Sequence, residues 1–387
     1  MNRQPPLQQP HDAGTSKGFM AGIVFAYRRH NLAAQLTYLT FPSIQQRLNF
    51  RESTMRFVAT FIASAFFATT ALAQTSIKFA LDWRFEGPAT PYFVALDKGY
   101  YKAQGLDVTI DPGSGSVEGI NRVASGTYQL GFADINSLIK YRDVKTNAPV
   151  QAVMMVYDMP AFAITTLRKS GITKPKDLEG KTLGAPAPDG AYAQWPIFVK
   201  ANNIDASKVK IDNVGFPVRE PMLVQGKVDA ITGFSFSSFF SLKANGMKDE
   251  DIVVMLMGEH GLNLYGNAII VNPEFAKKNP KAVQGFILAT IQGIQETIRS
   301  PETAIDSLMK VNKIANRENE LARLKMALRD NVVTSAVKQN GLGGVDMKRL
   351  SDSIDQIGLT FNFTNKPAAQ EIFTAEFLPA VDQRMVK

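Results

Sequence analysis

The sequence predicts an α/β protein built from two lobes. Short apolar segments of strand length alternate with segments of helical spacing between residue 76 and about residue 271, and this alternation is typical of sheets that carry helices on both faces. The chain has 387 residues, which is enough for two domains of ordinary size. Its composition, 45% hydrophobic and 20% charged, is that of a globular protein.

The first lobe is predicted from four strands that alternate with three helices. Helices are expected to begin near Pro88, Val117 and Ile135, because apolar residues follow each of these positions at helical spacing. Since a helix follows each of the first three strands, a parallel sheet is expected. The predicted strands are Ser76–Asp82, Leu106–Ile110, Leu130–Ala133 and Val150–Val156.

A second set of strands and helices predicts the second lobe. Helices are expected over Pro188–Ala201 and Glu220–Gln225. The predicted strands are Phe162–Leu167, Thr182–Ala185, Val209–Val214 and Ala230–Phe234, followed by Ile252–Met257 and Ala268–Val271. From Pro280 to Ile357 the chain is predicted to be mainly helical. The amphipathic segment Glu318–Val332 within it is expected to pack its leucines inward and to leave its charged face in solvent.

These elements predict one lobe with a smaller lobe inserted into it. Residues 74–165 are expected to begin the first lobe, 166–258 to form the second, and 259–387 to return to the first and add C-terminal helices. Ligands bind beyond the carboxyl ends of the strands in such sheets. A cleft between the lobes, closing by a hinge motion, is therefore expected.

The N-terminus predicts a secreted protein. Residues 57–77 carry no charge, Arg51 and Arg56 precede them, and Ala71–Ala73 ends the apolar stretch with small residues. This pattern favours a cleavable signal peptide at 55–73 over a retained membrane anchor. Residues 1–54 are interpreted as an unstructured upstream extension. The protein is then expected to be periplasmic.

Composition excludes several classes of function. The chain has no cysteine and only three histidines, so a thiol nucleophile, a Cys-ligated metal, a His-rich metal site and a disulfide framework are not expected. Of the net charge of +8, residues 1–73 carry +5, because seven Lys/Arg and two Asp/Glu lie there. The remaining chain is close to neutral, which argues against a nucleic acid partner. No P-loop motif is present.

Six motifs follow one another in a fixed order along the chain: LDW at 81–83, ALDKGYYKAQGLDVTI at 95–110, GSGS at 113–116, VASGTYQLGFAD at 123–134, KPKDLEGKTLGAP at 174–186 and LVQGKVDAITGF at 223–234. In this order and spacing they resemble the periplasmic solute-binding proteins of ABC importers, in the group that binds thiamine-pyrimidine precursors, sulfonates and nitrate. The resemblance covers residues 76 to about 300. The Asp-Trp pair after the first strand points to the pyrimidine-precursor branch.

The resemblance implies a type II periplasmic binding protein fold, a small-molecule ligand, no cofactor and no catalysis. It also implies a partner, an ABC permease with its ATPase, and a monomer is expected. One relative of the pyrimidine-precursor branch is an enzyme that makes the thiamine pyrimidine with a Cys-rich motif and an active-site histidine. The absence of cysteine argues against that activity here. A sensor domain that reports to a signalling partner is the third possibility.

Candidate ligand-binding residues follow the strand ends of both lobes and the two crossing segments. For most of them a structural role is an open alternative: Trp83 as lobe packing, Asp82 as a strand-end bond, and Asp189 as a helix cap. The candidates are Asp82, Trp83, Tyr92, Ser114, Gly115, Ser116, Asp134, Asn136, Tyr157, Asp158, Asp189, Tyr192, Phe234 and Glu259.

Aromatic walls with a few carboxylates suit a neutral or cationic nitrogen heterocycle, on which the Trp83 indole would stack. A site for taurine or another alkanesulfonate should instead offer Arg or Lys. Arg84 and Arg219 are the only basic side chains that the sequence brings near the cleft, and both are expected at the surface.

Overall fold

The computed structural model describes residues 74–386, which form two five-stranded sheets surrounded by helices. The predicted upstream extension and signal peptide lie outside the described residues. Within 74–386 no helix is long and apolar enough to cross a membrane. The strands are β1 (Thr75–Ala80), β2 (Leu106–Asp111), β3 (Leu130–Asp134), β4 (Gln151–Met155), β5 (Phe162–Leu167), β6 (Thr182–Gly184), β7 (Lys210–Asp212), β8 (Ala230–Phe234), β9 (Ile252–Leu256) and β10 (Asn267–Val271).

The first sheet has the strand order β2-β1-β3-β10-β4. β1 runs parallel to β2 and β3, as predicted, but β10 lies antiparallel to both β3 and β4. The expectation of a wholly parallel sheet is therefore wrong. β10 returns from the second lobe and enters between β3 and β4 in the opposite direction, which the local pattern of the chain does not encode.

The second sheet has the order β7-β6-β8-β5-β9, with β5 antiparallel to its neighbours β8 and β9. The chain crosses from the first sheet to the second between Met155 and Phe162. The expected boundary at 165/166 falls inside β5, so the strand pairing puts the crossing several residues earlier. In both sheets the strand that crosses between lobes is the antiparallel one.

Helices cover the outer faces of both sheets, and five of them begin at a side chain that accepts a backbone N–H bond, which satisfies free donors of the first turn. The helices are α1 (Thr90–Asp97), α2 (Tyr100–Ala103), α3 (Ser116–Ala124), α4 (Ile135–Arg142), α5 (Trp195–Ala201), α6 (Arg219–Val224), α7 (Ser235–Ala244), α8 (Pro273–Lys278), α9 (Pro280–Arg299), α10 (Pro301–Met309), α11 (Arg317–Ala327), α12 (Ser335–Asn340), α13 (Met347–Gly358) and α14 (Ala369–Ile372).

The short helices α8 and α14 were not predicted, and two further differences from the predicted helices concern the cleft. The helix expected over Pro188–Ala201 begins only at Trp195, after a single 3₁₀ turn, and the residues before that turn form a loop at the cleft. Helix α7 was not predicted. Six of the ten residues in its sequence SFSSFFSLKA are buried, and three of these six are serines. The sequence therefore lacks the amphipathic pattern that reveals a surface helix.

The core of the first lobe forms where α1 and α9 pack on the sheet. The ring of Phe79 lies edge-on to those of Tyr92 and Phe286, with centroids 5.1 Å apart in each pair. Gly293 permits the close approach of the two helices, since a Cβ there would lie 2.3 Å from the Pro91 carbonyl oxygen. This packing holds the start of α1, and with it one wall of the cleft.

The charged face predicted on Glu318–Val332 is not wholly in solvent. Leu324 and Leu328 are buried as expected, but Glu320 and Arg323 are also only 5% exposed. Arg323 faces α7 of the second lobe, where its guanidinium lies 5.9 Å from the centre of the Phe240 ring, and the Glu320 carboxylate accepts a bond from Gly87 N of the first lobe. The expectation of a solvated face is corrected for these two residues because other parts of the fold pack against them.

Candidate functional site

A cleft of about 620 Å³, counting its open mouth, lies between the lobes. It forms where the chain leaves the carboxyl ends of β1, β6 and β8, the position expected for a ligand site in α/β sheets. Its lining from the first lobe and the crossing segment consists of Leu81, Asp82, Trp83, Arg84, Glu86, Pro88, Ala89, Tyr92, Gly115, Ser116, Phe132 and Tyr157. The second lobe adds Asp189, Gly190, Phe216, Arg219, Phe234, Phe236 and Ser237.

Asp82 lies just beyond β1 and is buried. Asn267 Nδ2, at the start of β10, donates a 2.6 Å hydrogen bond to Asp82 Oδ2. Burial raises the pKa of Asp82 to about 7, the Asn267 bond opposes this, and the nearby carboxylates of Asp134 and Asp189 reinforce it. Near neutral pH the carboxyl is therefore protonated in a large fraction of molecules and offers both a donor and an acceptor.

Trp83 is half-buried at the mouth of the cleft. Its indole Nε1 donates to Glu86 Oε1 at 3.1 Å. The ring of Phe216, from the second lobe, meets it edge-on with centroids 4.5 Å apart, and the Arg84 guanidinium lies 5.2 Å from its centre. The indole is thus held in one orientation with part of its surface facing the cleft.

Aromatic rings form the inner part of the cleft. Tyr157 stands perpendicular to Phe132, with centroids 5.2 Å apart, and contacts Phe234 and Phe236 of the second lobe at 6.4 and 5.9 Å. Burial raises the pKa of Tyr157, and that of Tyr92, well above the usual range. Both phenols therefore stay protonated and neutral.

The glycine-containing loop before α3 brings the lobes close together. Gly115 has a φ of 113°, and a Cβ there would lie 2.7 Å from the carbonyl oxygen of Pro188 in the second lobe, so a side chain would be both strained and blocked. Ser116 begins α3, and its Oγ accepts a 3.1 Å bond from Asp134 N. Of the predicted 114–116 segment, Gly115 and Ser116 line the cleft.

Asp189 occupies the corresponding position in the second lobe. Its Oδ2 accepts a 2.9 Å bond from Thr232 Oγ1, and its carboxylate receives the backbone N–H groups of Ala191 and Tyr192 at 3.3 Å. Burial raises the pKa of Asp189, while Arg219 and these hydrogen bonds oppose the rise. Asp189 therefore lines the cleft and braces the loop before the 3₁₀ turn, and it does not cap the helix, which begins only at Trp195.

Arg219 is buried, not at the surface as predicted, with 3% of its area exposed. Its Nε and Nη2 donate to Glu220 Oε1 at 2.9 and 2.6 Å, and its guanidinium lies 5.8 Å from the centre of the Trp83 ring. Burial lowers its pKa, but the carboxylates of Glu220 and Asp189 outweigh burial and raise it. Arg219 thus lines the cleft as a cation, and the neighbouring carboxylates of Glu220 and Asp189 largely balance its charge.

Eight of the fourteen predicted site residues line the cleft. They are Asp82, Trp83, Tyr92, Gly115, Ser116, Tyr157, Asp189 and Phe234. The other six lie elsewhere: Ser114, Asp134, Asn136, Asp158, Tyr192 and Glu259.

Asp134 and Asn136 lie behind the cleft wall. The Asp134 carboxylate accepts the backbone N–H groups of Asn136 and Ser137 and so caps α4. Asn136 Nδ2 donates to the carbonyl oxygen of Tyr265 at 2.7 Å. Both side chains are fully buried, and helix capping accounts for Asp134.

The remaining four lie away from the cleft lining for different reasons. Asp158 is held by Arg349 Nη1 at 3.2 Å and by Thr334 Oγ1 at 2.5 Å. The backbone N–H of Ser114 donates to the Glu118 carboxylate, Tyr192 packs on the apolar core, and Glu259 is exposed in the 3₁₀ turn Met257–His260.

Glu86, Phe216 and Ser237 line the cleft but were not predicted. Glu86 lies only three residues after Trp83, so its closeness to a predicted site residue could have identified it. Phe216 sits between Gly215 and Pro217 in a segment without periodicity. Ser237 was missed because it belongs to α7, the helix that was not predicted.

The two lobes are in contact across the cleft. Ser237 Oγ donates to Glu86 Oε2 at 2.8 Å, and Gln194 Nε2 lies 3.3 Å from Asp134 Oδ2. Lys140 Nζ donates to the Ala193 carbonyl oxygen. Together with the Trp83–Phe216 contact, these bonds describe a closed arrangement of the lobes.

No metal site occurs in the part of the chain that the structure describes. No cluster of three or more His, Asp or Glu side chains there could hold a metal ion. The cleft lining includes no His or Lys. Its polar groups are carboxyls, hydroxyls, phenols and two guanidinium groups, which recognise a ligand by hydrogen bonds and charge.

Comparison with known proteins identifies relatives by sequence. A family model described as NMT1/THI5 like matches residues 88–304. The chain is 25% identical to the riboflavin-binding protein RibY of Chloroflexus aurantiacus, over 75% of this chain and 82% of RibY. It is 26% identical to the formylaminopyrimidine-binding protein of Halalkalibacterium halodurans, over 63% and 73%. It is also 26% identical to the 4-amino-5-hydroxymethyl-2-methylpyrimidine phosphate synthase THI13 of Saccharomyces cerevisiae, over 60% and 70%.

Comparison with solved structures identifies the fold. The chain matches the alkanesulfonate-binding protein SsuA of Xanthomonas axonopodis pv. citri with a TM-score of 0.61, over 78% of this chain and 99% of SsuA. The sequence identity is 15%, so the likeness concerns the fold. Two lobes, each with a mixed sheet and flanking helices, and a cleft between them make this the periplasmic binding protein fold.

Proposed function

The chain belongs to the NMT1/THI5-like family, and we propose that it is the substrate-binding component of an ABC importer. In this role it captures a small polar solute in the periplasm and delivers it unchanged to a membrane permease with its ATPase. The observation that carries the proposal is the enclosed cleft, in which each lobe supplies both aromatic rings and a buried carboxyl. Relatives named for riboflavin and formylaminopyrimidine binding support the role.

The proposed ligand is a neutral or cationic nitrogen heterocycle related to a pyrimidine. Asp82 and Asp189 approach from opposite lobes and can accept ring or amino N–H groups at two edges of a flat molecule. Trp83 offers an indole face on which such a ring stacks. Tyr92, Phe132, Tyr157, Phe234 and Phe236 add aromatic rings to the same lining, which suit a flat, weakly charged molecule.

An alkanesulfonate such as taurine is the second candidate, and the buried Arg219 is the observation that favours it. A guanidinium group is well suited to bind a sulfonate. However, Glu220 already accepts bonds from Nε and Nη2 of Arg219, and the carboxylates of Glu86 and Asp189 lie in the same cleft. The balance of charges favours the heterocycle.

Catalysis is not part of the proposal, although one named relative is a synthase. The chain contains no cysteine, and His260 lies in a turn outside the cleft lining. The side chains that do line the cleft include no His or Lys, and their hydroxyls, carboxyls and aromatic rings can hold a solute by hydrogen bonds and stacking. We therefore infer that the solute leaves the protein chemically unchanged. We further propose that the protein is a monomer and that its N-terminal segment directs its export.

A ligand screen with a turnover control tests the proposal. Thermal shifts of the purified protein are measured with formylaminopyrimidine, riboflavin and taurine, because a ligand that binds only the folded state raises the unfolding temperature. We expect stabilisation by a pyrimidine or a larger heterocycle and full recovery of the compound by mass spectrometry. Stabilisation by taurine alone would overturn the ligand class, and consumption of the compound would overturn the binding role.

A further inference from the structure

One carboxylate at the mouth of the cleft is bonded to both lobes. Glu86 lies in the segment between β1 and α1, and its side chain is only 13% exposed. Its Oε1 accepts the 3.1 Å bond from the indole Nε1 of Trp83 in the first lobe. Its Oε2 accepts the 2.8 Å bond from Ser237 Oγ, in the first turn of α7 of the second lobe.

A buried cation holds this carboxylate from behind. Arg323 Nη1, on α11, lies 3.4 Å from Glu86 Oε2 and also donates to both oxygens of Glu320 at 2.6 and 2.7 Å. Glu320 in turn accepts a 2.6 Å bond from Gly87 N, next to Glu86. Residues of the first lobe therefore hold the Glu86 carboxylate from the side opposite to Ser237.

Closing the lobes brings two new partners to the same short segment. Ser237 reaches Glu86, and the Phe216 ring reaches the edge of Trp83. Opening removes both contacts together, because Phe216 and Ser237 belong to the second lobe. Charge-assisted hydrogen bonds of this kind are among the stronger ones in proteins, so they can bias the balance between open and closed lobes.

We propose that Glu86 couples closure of the lobes to the orientation of the Trp83 indole, acting as a positioning residue for the solute site. The inference rests on the proposed binding function and explains how a bound solute would favour closure of the lobes. A ring stacked on Trp83 favours the indole orientation that Glu86 holds. The same carboxylate favours the closed arrangement by its bond to Ser237. Stacking and closure then reinforce each other.

The test measures closure and indole environment in the same molecules without any ligand. Because the chain has no cysteine, Lys313→Cys in the first lobe and Lys227→Cys in the second give two specific sites for spin labels. Replacing Trp195 by Phe leaves Trp83 as the single tryptophan. The variants are Glu86→Ala, Glu86→Gln, Ser237→Ala and the double variant Glu86→Ala/Ser237→Ala. Ser241→Ala, on the same helix and without a side-chain bond to the first lobe, is the matched control.

We expect Glu86→Ala to raise the open-to-closed ratio about fivefold or more, the effect of losing one charge-assisted bond, and to shift Trp83 emission to longer wavelength. Ser237→Ala should act in the same direction, and the double variant should resemble Glu86→Ala alone. Glu86→Gln should restore part of both signals, since its amide can still accept from Trp83 and bond to Ser237. Ser241→Ala should behave as the parent protein.

Two results would overturn the coupling. One is a change in the inter-lobe distance with unchanged Trp83 emission, or the reverse. The other is full additivity of Glu86→Ala and Ser237→Ala, which would mean that the two side chains act separately. Failure of the parent protein to bind formylaminopyrimidine, riboflavin or taurine would instead count against the proposed function, because distance and emission are read without ligand.

Discussion

Asp82 shows how the position of a single side chain changes its chemistry. An aspartate at a strand end is ordinarily ionised in water, but here burial raises its pKa to about 7. The folded protein therefore binds a proton that the unfolded chain has released at the same pH. Wherever this difference exists, stability falls as the pH rises.

The first prediction concerns the pH dependence of stability in Asp82→Asn. The contribution of Asp82 is fully present below its unfolded pKa of 3.8 and is lost as the pH rises to about 7. The variant has no titrating group at this position and does not lose this contribution. The difference in free energy of unfolding, variant minus parent, should therefore rise between pH 4 and 7 by up to about 4 kcal/mol. Urea unfolding at several pH values measures this. Asp107→Asn, an exposed carboxylate on β2, is the control, and a difference that does not vary with pH would contradict the prediction.

The second prediction concerns Trp83. Replacement by Ala should weaken solute binding about tenfold or more, because a stacked ring contributes about 0.5–1.5 kcal/mol beyond its buried area. Replacement by Phe should cost less, since it keeps a ring. Titration calorimetry measures both. Trp195→Phe, in α5 beside Phe198, is the matched control and should lower stability rather than affinity; unchanged affinity in Trp83→Ala would rule out stacking.

At the scale of elements, α11 is an amphipathic helix in which two charged residues of the predicted solvent face, Glu320 and Arg323, are buried. Its leucines face inward as the helical spacing predicts, while Glu320 is buried against Gly87 of the first lobe and Arg323 near Phe240 of the second. Burying an ion pair is costly unless the pair stays intact. Breaking it should therefore be more damaging than breaking a similar pair in solvent.

The third prediction compares two arginines of the same helical stretch. Arg323→Ala leaves Glu320 buried without its main partner and should destabilise the protein by about 3–5 kcal/mol. Arg329→Ala breaks the ion pair with Asp330, in which the Arg329 side chain is 72% exposed. This change should lower the free energy of unfolding by at most about 1 kcal/mol. Denaturant unfolding measures both; equal losses would contradict the burial argument.

For the whole molecule, the apolar core is shared between the lobes. One cluster joins Ile135 and Leu138 of the first lobe to Phe162, Ile164 and Trp195 of the second. Separating the lobes completely would expose this cluster to water, which is unfavourable in proportion to the apolar area. The lobes can therefore hinge at the cleft but should not unfold one at a time.

The fourth prediction is a single cooperative unfolding transition. Trp83 lies in the first lobe and Trp195 in the second, so Trp195→Phe and Trp83→Phe each leave one reporter for one lobe. We expect each reporter's unfolding midpoint to coincide with that of the circular dichroism signal recorded on the same variant. A reporter whose transition departs clearly from its own circular dichroism curve would show that the lobes are independent units.

The sequence by itself determined the strands, most of the helices, the two-lobed α/β architecture and the family, since strand and helix periodicity and short motifs are local properties. It also led to the strand-end residues Asp82 and Asp189, because strand ends meet at one edge of a sheet. Only the tertiary structure decided that β10 enters antiparallel between β3 and β4, that Arg219 is buried, and that Glu86 meets Ser237. These depend on contacts between residues more than 100 positions apart or on which surface the other lobe covers. No local pattern records such contacts, because covering a surface is a property of the packed molecule.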